Sequence, residues 1–179
     1  NRLASKLSRK ITRTIMENWE DRSKIVANLL NPAFCGEILR RAIVSYNENE
    51  ENMLFPFSLL YLILPIILHK KTRDNMPQRS STYFHHWVNE NEYLFIDFAG
   101  RVKELLPYTK ESLMFLLLHN AVEISDNGEI QVNKFSKKLP VGENVEEIRT
   151  IYKKAELLGK WLRLTGNEQT IYMFLKIRP

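Results

Sequence analysis

The chain has 179 residues, a hydrophobic content of 44 % that is ordinary for a globular protein, and a net charge of +5. Its single cysteine excludes an internal disulfide framework and predicts a reducing, cytoplasmic setting. The charge is no evidence for a nucleic-acid partner, because Arg2, Lys6, Arg9, Lys10 and Arg13 stand in an acid-free leader and the rest of the chain sums to zero.

That leader, residues 1–15, repeats Leu3, Leu7, Ile11 and Ile15 on one helical face. It reads as a basic amphipathic arm, as a transit peptide, or as upstream sequence outside the native module. Asn31 and Pro32 then form a helix start, since asparagine caps free N–H groups and proline suits the first helical position. Phe34, Ile38, Ala42 and Tyr46 predict an amphipathic helix of about four turns, with Arg40 and Arg41 on its flanks. Asn47 to Asn52 reads as a loop.

The run Met53 to His69 is apolar on every side and must be covered all round, by this chain or in part by another protein. It is too short and broken to span a membrane, which takes about 20 apolar residues. Pro56 falls near its start, and Pro65 should kink or end the helix. His69 to Pro77 reads as a loop or a short irregular helix. Ser80 or Ser81 caps the next predicted helix, which carries Phe84, Trp87 and Val88 and breaks at Asn89 to Glu92. Leu94, Phe95, Phe98, Val102, Leu105 and Leu106 make another helical stripe, stopped by Pro107. Thr109 caps a further helix whose interior, Leu113 to Leu118, is apolar and so expected to be buried.

Val122 and Ile124 alternate with polar residues, as do Ile130 and Val132 across the turn at Asp126, Asn127 and Gly128, which predicts a hairpin. A long helix follows from about Asn144 to Leu164, with Val145, Ile148, Tyr152, Ala155, Leu158 and Leu162 inward and Gly166 as its C-cap. Thr170 to Ile177 is rich in β-formers and reads as a possible strand. The fold class is therefore mainly α with a small β-hairpin. Residues 16–106 form a helical N-terminal part and 107–179 a winged-helix-like C-terminal part, packed as one unit.

Candidate chemistry is thin. His85 and His86 are adjacent, point about 100° apart on a helix and rarely chelate one metal together. Cys35 lies among apolar helix residues with no base to activate it, so a buried inert thiol is expected. Asp97 and Glu111 are the acids in the most apolar surroundings, where capping or surface roles are the ordinary reading. No catalytic residue, metal ligand or cofactor is assigned. The cations Arg149, Lys153, Lys160 and Arg163 share one side of the last long helix, and Lys134, Lys137 and Lys138 follow the hairpin. These seven could line a phosphate backbone, although a mixed-sign stripe is usually a solvated face.

Certain blocks carry a family resemblance. They are Asn28-Leu-Leu-Asn-Pro-Ala-Phe-Cys35, Phe55-Pro-Phe, and Leu64-Pro-Ile-Ile-Leu-His-Lys-Lys-Thr-Arg73 with Met76-Pro77. Trp87, Phe98-Ala-Gly-Arg101, Pro107-Tyr-Thr109 with Glu111, and Arg178-Pro179 follow in order. Over about Met16 to Pro179 the chain resembles the middle component of three-component ABC systems, which include the small accessory subunit of Lamassu-type anti-phage defence. The resemblance implies an adaptor between an SMC-like ABC ATPase that senses DNA and a toxic effector such as a nuclease. ATP and Mg²⁺ would then belong to the ATPase, and DNA would be met mainly through the complex.

Two function classes follow. The first is the non-enzymatic adaptor, supported by an apparent surplus of aromatic residues at Trp19, Phe55, Phe57, Trp87 and Trp161. Its expected contact residues are His69, Lys70, Lys71 and Arg73 on one surface, and Asn127, Lys153 and Trp161 in the hairpin-plus-helix region on another, with Trp87 as a further candidate. The second is a winged-helix DNA-binding protein such as a repressor. An enzyme of unfamiliar type is a third, weaker option.

Overall fold

The computed structural model describes residues 30–48, 53–133 and 145–178. The leader, Trp19, Lys134, Lys137 and Lys138 lie outside the described residues. Residues 32–178 belong to one compact unit.

Helix α1, Pro32–Asn47, begins where Asn31-Pro32 predicts and buries Cys35, Ile38, Leu39, Ala42, Ile43 and Tyr46. Strand β1 is the short Phe55–Pro56, followed by a 3-10 turn over Phe57–Leu59 and by α2, Leu60–Ile67. Helix α3, Lys70–Asn75, and α4, Phe84–Glu90, come next. A 3-10 turn over Glu92–Phe95 leads to α5, Phe98–Leu118. Strands β2, Val122–Ile124, and β3, Glu129–Val132, form the hairpin. The chain closes with α6, Val145–Thr165, and α7, Glu168–Phe174. The described residues are thus mostly helical with one three-stranded antiparallel sheet, in the order β1-β3-β2.

Helix α1 is the hub of the core, packing against α6, α5, α2 and β3. Its crossing with α6 is very close. A Cβ on Gly159 would stand 2.0 Å from the carbonyl oxygen of Ala42, so only glycine lets the two backbones meet there. Beside that crossing the buried Arg41 donates to Glu37 at 2.7 Å and to Glu156 of α6 at 2.6 Å, and its guanidinium lies over the Tyr152 ring. Burying the cation is tolerable because both carboxylates answer it. Arg41 is therefore core, not the flank residue its position in the helix stripe predicts.

Most of the apolar run is covered as expected, with Leu59, Leu60, Leu62, Ile63, Leu64, Ile66 and Ile67 wholly buried, whereas Met53 is exposed and Phe57 and Tyr61 are half-buried. The cover is this chain's own α1, α5 and α6, so no outside protein is needed for it. Its start is not helical. Phe55 pairs with Ile130 and Pro56 with Glu129 on the sheet edge, where proline's missing N–H costs little.

Other expectations are corrected. Pro65 stands inside α2, which ends only at Ile67. Pro107 stands inside α5, which runs unbroken from Phe98 to Leu118. Packing of α2 on α1 and α5, and of α5 on α1 and α2, outweighs the backbone hydrogen bond each ring deletes. The stripe from Leu94 is split instead at Asp97, which takes φ 55° before α5 begins. Helix α4 is flanked at its start by Tyr83, not by Ser80 or Ser81, and has no side-chain cap. The interior of α5 is not wholly buried, since Met114 and Leu118 are exposed. Thr170 to Phe174 is helical rather than a strand, capped by the Asn167 side chain accepting from the Thr170 N–H at 2.9 Å. Ile171, Tyr172 and Leu175 recur at helical spacing and are buried there, so tertiary contact overrides β propensity.

Candidate protein-interaction site

Aromatic residues gather where α4 and α6 meet. Trp87 and Trp161 stand 5.1 Å apart between ring centroids, Phe84 meets Trp161 edge-on at 5.3 Å, and Phe95 meets Trp87 edge-on at 5.4 Å. The Trp87 indole N–H donates to the Asn75 carbonyl at 3.0 Å and that of Trp161 to the Thr82 carbonyl at 2.5 Å. Both tryptophans are buried, as is Phe55. These three are core residues and do not present anchors to a partner, while Phe57 is half-buried.

The exposed aromatic and aliphatic residues lie just outside that cluster. A groove of about 540 Å³ runs between Glu92–Ala99 and Phe174–Ile177. Tyr93 on its wall is 59 % exposed and Ile96 is 75 % exposed. A smaller groove of about 300 Å³, lined by Ser58, Glu168, Tyr172 and Met173 among others, shares Ile177 with it. Beside the larger groove, His85 packs between the rings of Tyr83 at 5.7 Å and Phe174 at 5.2 Å. Tyr83 and Met173 are exposed. Lys176 reaches Glu92 at 2.8 Å, tying the two walls by an exposed ion pair of small energetic weight.

The backbone of this groove is strained. Three described non-glycine residues have positive φ, and two of them, Asp97 at 55° and Lys176 at 54°, line it. A left-handed backbone costs an L residue about 1–2 kcal/mol, and such strain concentrates where proteins do their work. Sequence reasoning missed Tyr83, Tyr93, Ile96 and Met173. The available signal was large apolar residues falling in turns or off the buried helical stripe, where no core demands them.

The segment His69 to Arg73 divides into two kinds of residue. Lys70 and Lys71 are exposed, with Lys70 paired to Asp74 at 2.9 Å. That hydrogen bond holds the Asp74 carboxyl below its usual range. Arg73 is buried, donates to the Ile67 carbonyl at 2.8 Å and reaches Glu147 at 3.3 Å, and so serves to anchor α3. His69 caps α3, its Nδ1 lying 2.6 Å from the Thr72 hydroxyl. Arg101 approaches that hydroxyl at 3.4 Å and also donates to the Pro65 carbonyl. Burial first, then the Arg101 and Lys71 charges, push the His69 pKa down. Lys154, also buried, donates to the Met76 and Pro77 carbonyls at 2.8 and 3.0 Å, and burial lowers its pKa despite Asp74.

Asn127 is exposed at the hairpin tip. On α6, Lys153 and Lys160 are exposed, while Arg149 is half-buried and bonded to Glu146 at 2.7 Å, and Arg163 is half-buried. Cys35 is buried, and burial pushes its thiol up to about 12, far from a reactive thiolate. His86 pairs with Glu90 at 3.2 Å, and the His119 ring meets the Phe115 carbonyl. Asp97 is exposed, in agreement with the surface role expected of it. Among the described residues no group of three His, Cys, Asp or Glu is placed to hold a metal ion, and no helix is long and apolar enough to cross a membrane.

The described residues thus form a helical body whose grooves expose tyrosine, isoleucine and methionine. The chain belongs to the family described as ABC-three component (ABC-3C) system Middle Component 3, which matches residues 19–179. It is thus one component of a three-part ABC system, and the other components are its partners. No curated protein and no solved structure matches it.

Proposed function

We propose that the chain is a non-catalytic adaptor in a bacterial anti-phage complex of the Lamassu type, acting in the cytoplasm. It bridges an SMC-like ABC ATPase that senses DNA to a toxic effector, a nuclease being the expected kind, and holds that effector quiet until the ATPase engages. ATP and Mg²⁺ belong to the ATPase, and this chain takes no cofactor of its own. The observation that carries the reading is the strained groove with exposed Tyr93 and Ile96 on one wall. Aromatic and aliphatic anchors of this sort dominate binding energy when a partner desolvates them. Lys70 and Lys71 supply a separate cationic contact.

The winged-helix DNA reading is weaker. A wing needs cations at its tip to meet phosphates, and the hairpin carries Glu123, Asp126 and Glu129 with no Lys or Arg from Ala121 to Asn133. The test is co-purification with the ABC ATPase encoded beside this chain, with and without DNA and ATP. Wild type should co-elute, and Ile96→Glu together with Tyr93→Ala should release the ATPase or the effector while the chain stays folded. Separate elution of wild type under every condition refutes the adaptor.

A further inference from the structure

Among the described residues the outer edge of β2 is open: β2 ends the sheet, with β3 on one side and no strand on the other. Its hydrogen-bonding phase can be read from the hairpin. The Ser125 N–H donates to the Glu129 carbonyl at 2.9 Å, and the Asn133 N–H donates to the Ala121 carbonyl at 3.0 Å. Antiparallel pairing alternates, so residues 121, 123 and 125 turn their backbone groups toward β3. Val122 and Ile124 therefore aim their N–H and C=O groups outward. An edge of that kind accepts an extended backbone and nothing else of regular structure.

The side chains specify what the strand should carry. Val122 and Ile124 stand on the face shared with the buried Ile130, and Ile124 is 38 % exposed at its margin. Glu123 stands on the opposite face, and Asp126 and Glu129 follow at the turn. The stretch from Ala121 to Asn133 holds three acids and no Lys or Arg. A second copy of this chain would bring the same acids against this edge and be repelled.

We infer that the β2 edge docks an extended segment of a partner component in which apolar residues alternate with Lys or Arg. The apolar residues lie beside Ile124 and the cations beside Glu123 and Asp126. The inference deepens the adaptor reading and rests on it for the source of the segment, while the edge itself is tested without the ATPase.

The probe is an acetylated peptide amide, Lys-Val-Lys-Ile-Arg-Val, with Glu-Val-Glu-Ile-Glu-Val as its counterpart. Amide exchange of the full chain is followed by NMR. The basic peptide should slow exchange of the Val122 and Ile124 amides, and the acidic one should bind about tenfold more weakly, as should the basic one to Glu123→Lys/Asp126→Lys. Ile124→Pro removes one outward N–H and spares the β3 ladder, so it should also lose the peptide. Binding without protection of those two amides, or with equal affinity for both peptides, overturns the inference. So does protection already present without peptide, whether constant, from the chain covering its own edge, or growing with concentration, from a second copy. In the co-purification assay, an ATPase that elutes apart from wild type sinks the adaptor while the peptide result stands. An ATPase and effector that both stay with Ile124→Pro sink the edge as a partner site while the adaptor stands.

Discussion

Gly159→Ala is the sharpest test of the α1–α6 crossing. The new Cβ would lie 2.0 Å from the Ala42 carbonyl oxygen, 2.8 Å from its carbon and 3.0 Å from its Cα. All three are backbone atoms in the middle of a buried helix, so no side chain can swing aside. Restoring a separation of about 3.4 Å moves the helices apart by up to about 1.4 Å, and a gap of even half that forfeits a quarter or more of each dispersion contact. Overpacking of this kind costs about 1–3 kcal/mol or more. Alanine returns about 1 kcal/mol through its helix propensity. Because the opposing atoms are backbone and cannot yield, the cost falls at the upper end of that range, and the net is a loss of about 2 kcal/mol, larger if the helices cannot slide. Gly36→Ala, on the other side of α1, is the control. Its nearest neighbours would be the flexible Leu116 side chain at 3.4 Å and the Ser112 carbonyl oxygen at 3.6 Å, both ordinary contact distances, so the propensity gain should survive and stability should hold or rise. Urea denaturation followed by far-UV circular dichroism measures both. A Gly159→Ala chain as stable as wild type, or a Gly36→Ala chain less stable than it, would refute the reasoning.

Three further outcomes are expected. Ile66→Asp puts a carboxylate at a wholly buried site of α2 and should cost about 4 kcal/mol or prevent soluble folding; a variant that melts like wild type contradicts the burial. His69 has a folded pKa below its ordinary 6.5, so the unfolded chain takes up a proton first and stability falls as pH drops from about 6.5 toward the folded value. His69→Asn keeps a capping acceptor, and its melting temperature should be flatter across that window; an unchanged slope would mean His69 is not the group responsible. Cys35 should resist iodoacetamide in the native chain near about pH 8 and react fully in urea; fast labelling of the native chain would place the thiol at the surface.

Much of the fold was legible. The start of α1, the burial of the run through Ile67, the hairpin and the span of α6 all follow from strong local signals. Asn31-Pro32 sets the first, apolarity on every side the second, alternation around Gly128, at φ 74°, the third, and helical periodicity the fourth. The errors share one cause. Pro65, Pro107 and the β-rich Thr170 to Phe174 were read by local preference, and in each case packing against distant helices was worth more than the preference. Arg41 and Arg73 looked like surface cations because their partners, Glu156 and Glu147, are more than 70 residues away in sequence. The groove was not legible, since it joins Glu92–Ala99 to Phe174–Ile177 and depends on two left-handed residues that composition does not announce. Trp87 and Trp161 misled because a one-dimensional tally of aromatics cannot tell mutual stacking from display.

Helix α5 gives the molecule a mechanical character. It begins at the groove wall with Phe98 and ends at Leu118, with three residues between it and β2. Its 21 residues make a rod of about 30 Å. Partners gripping opposite tips of such a strut would feel each other as a tilt of the whole bar, so a push at one tip is delivered at the other as leverage and needs no chain of side-chain rearrangements between them.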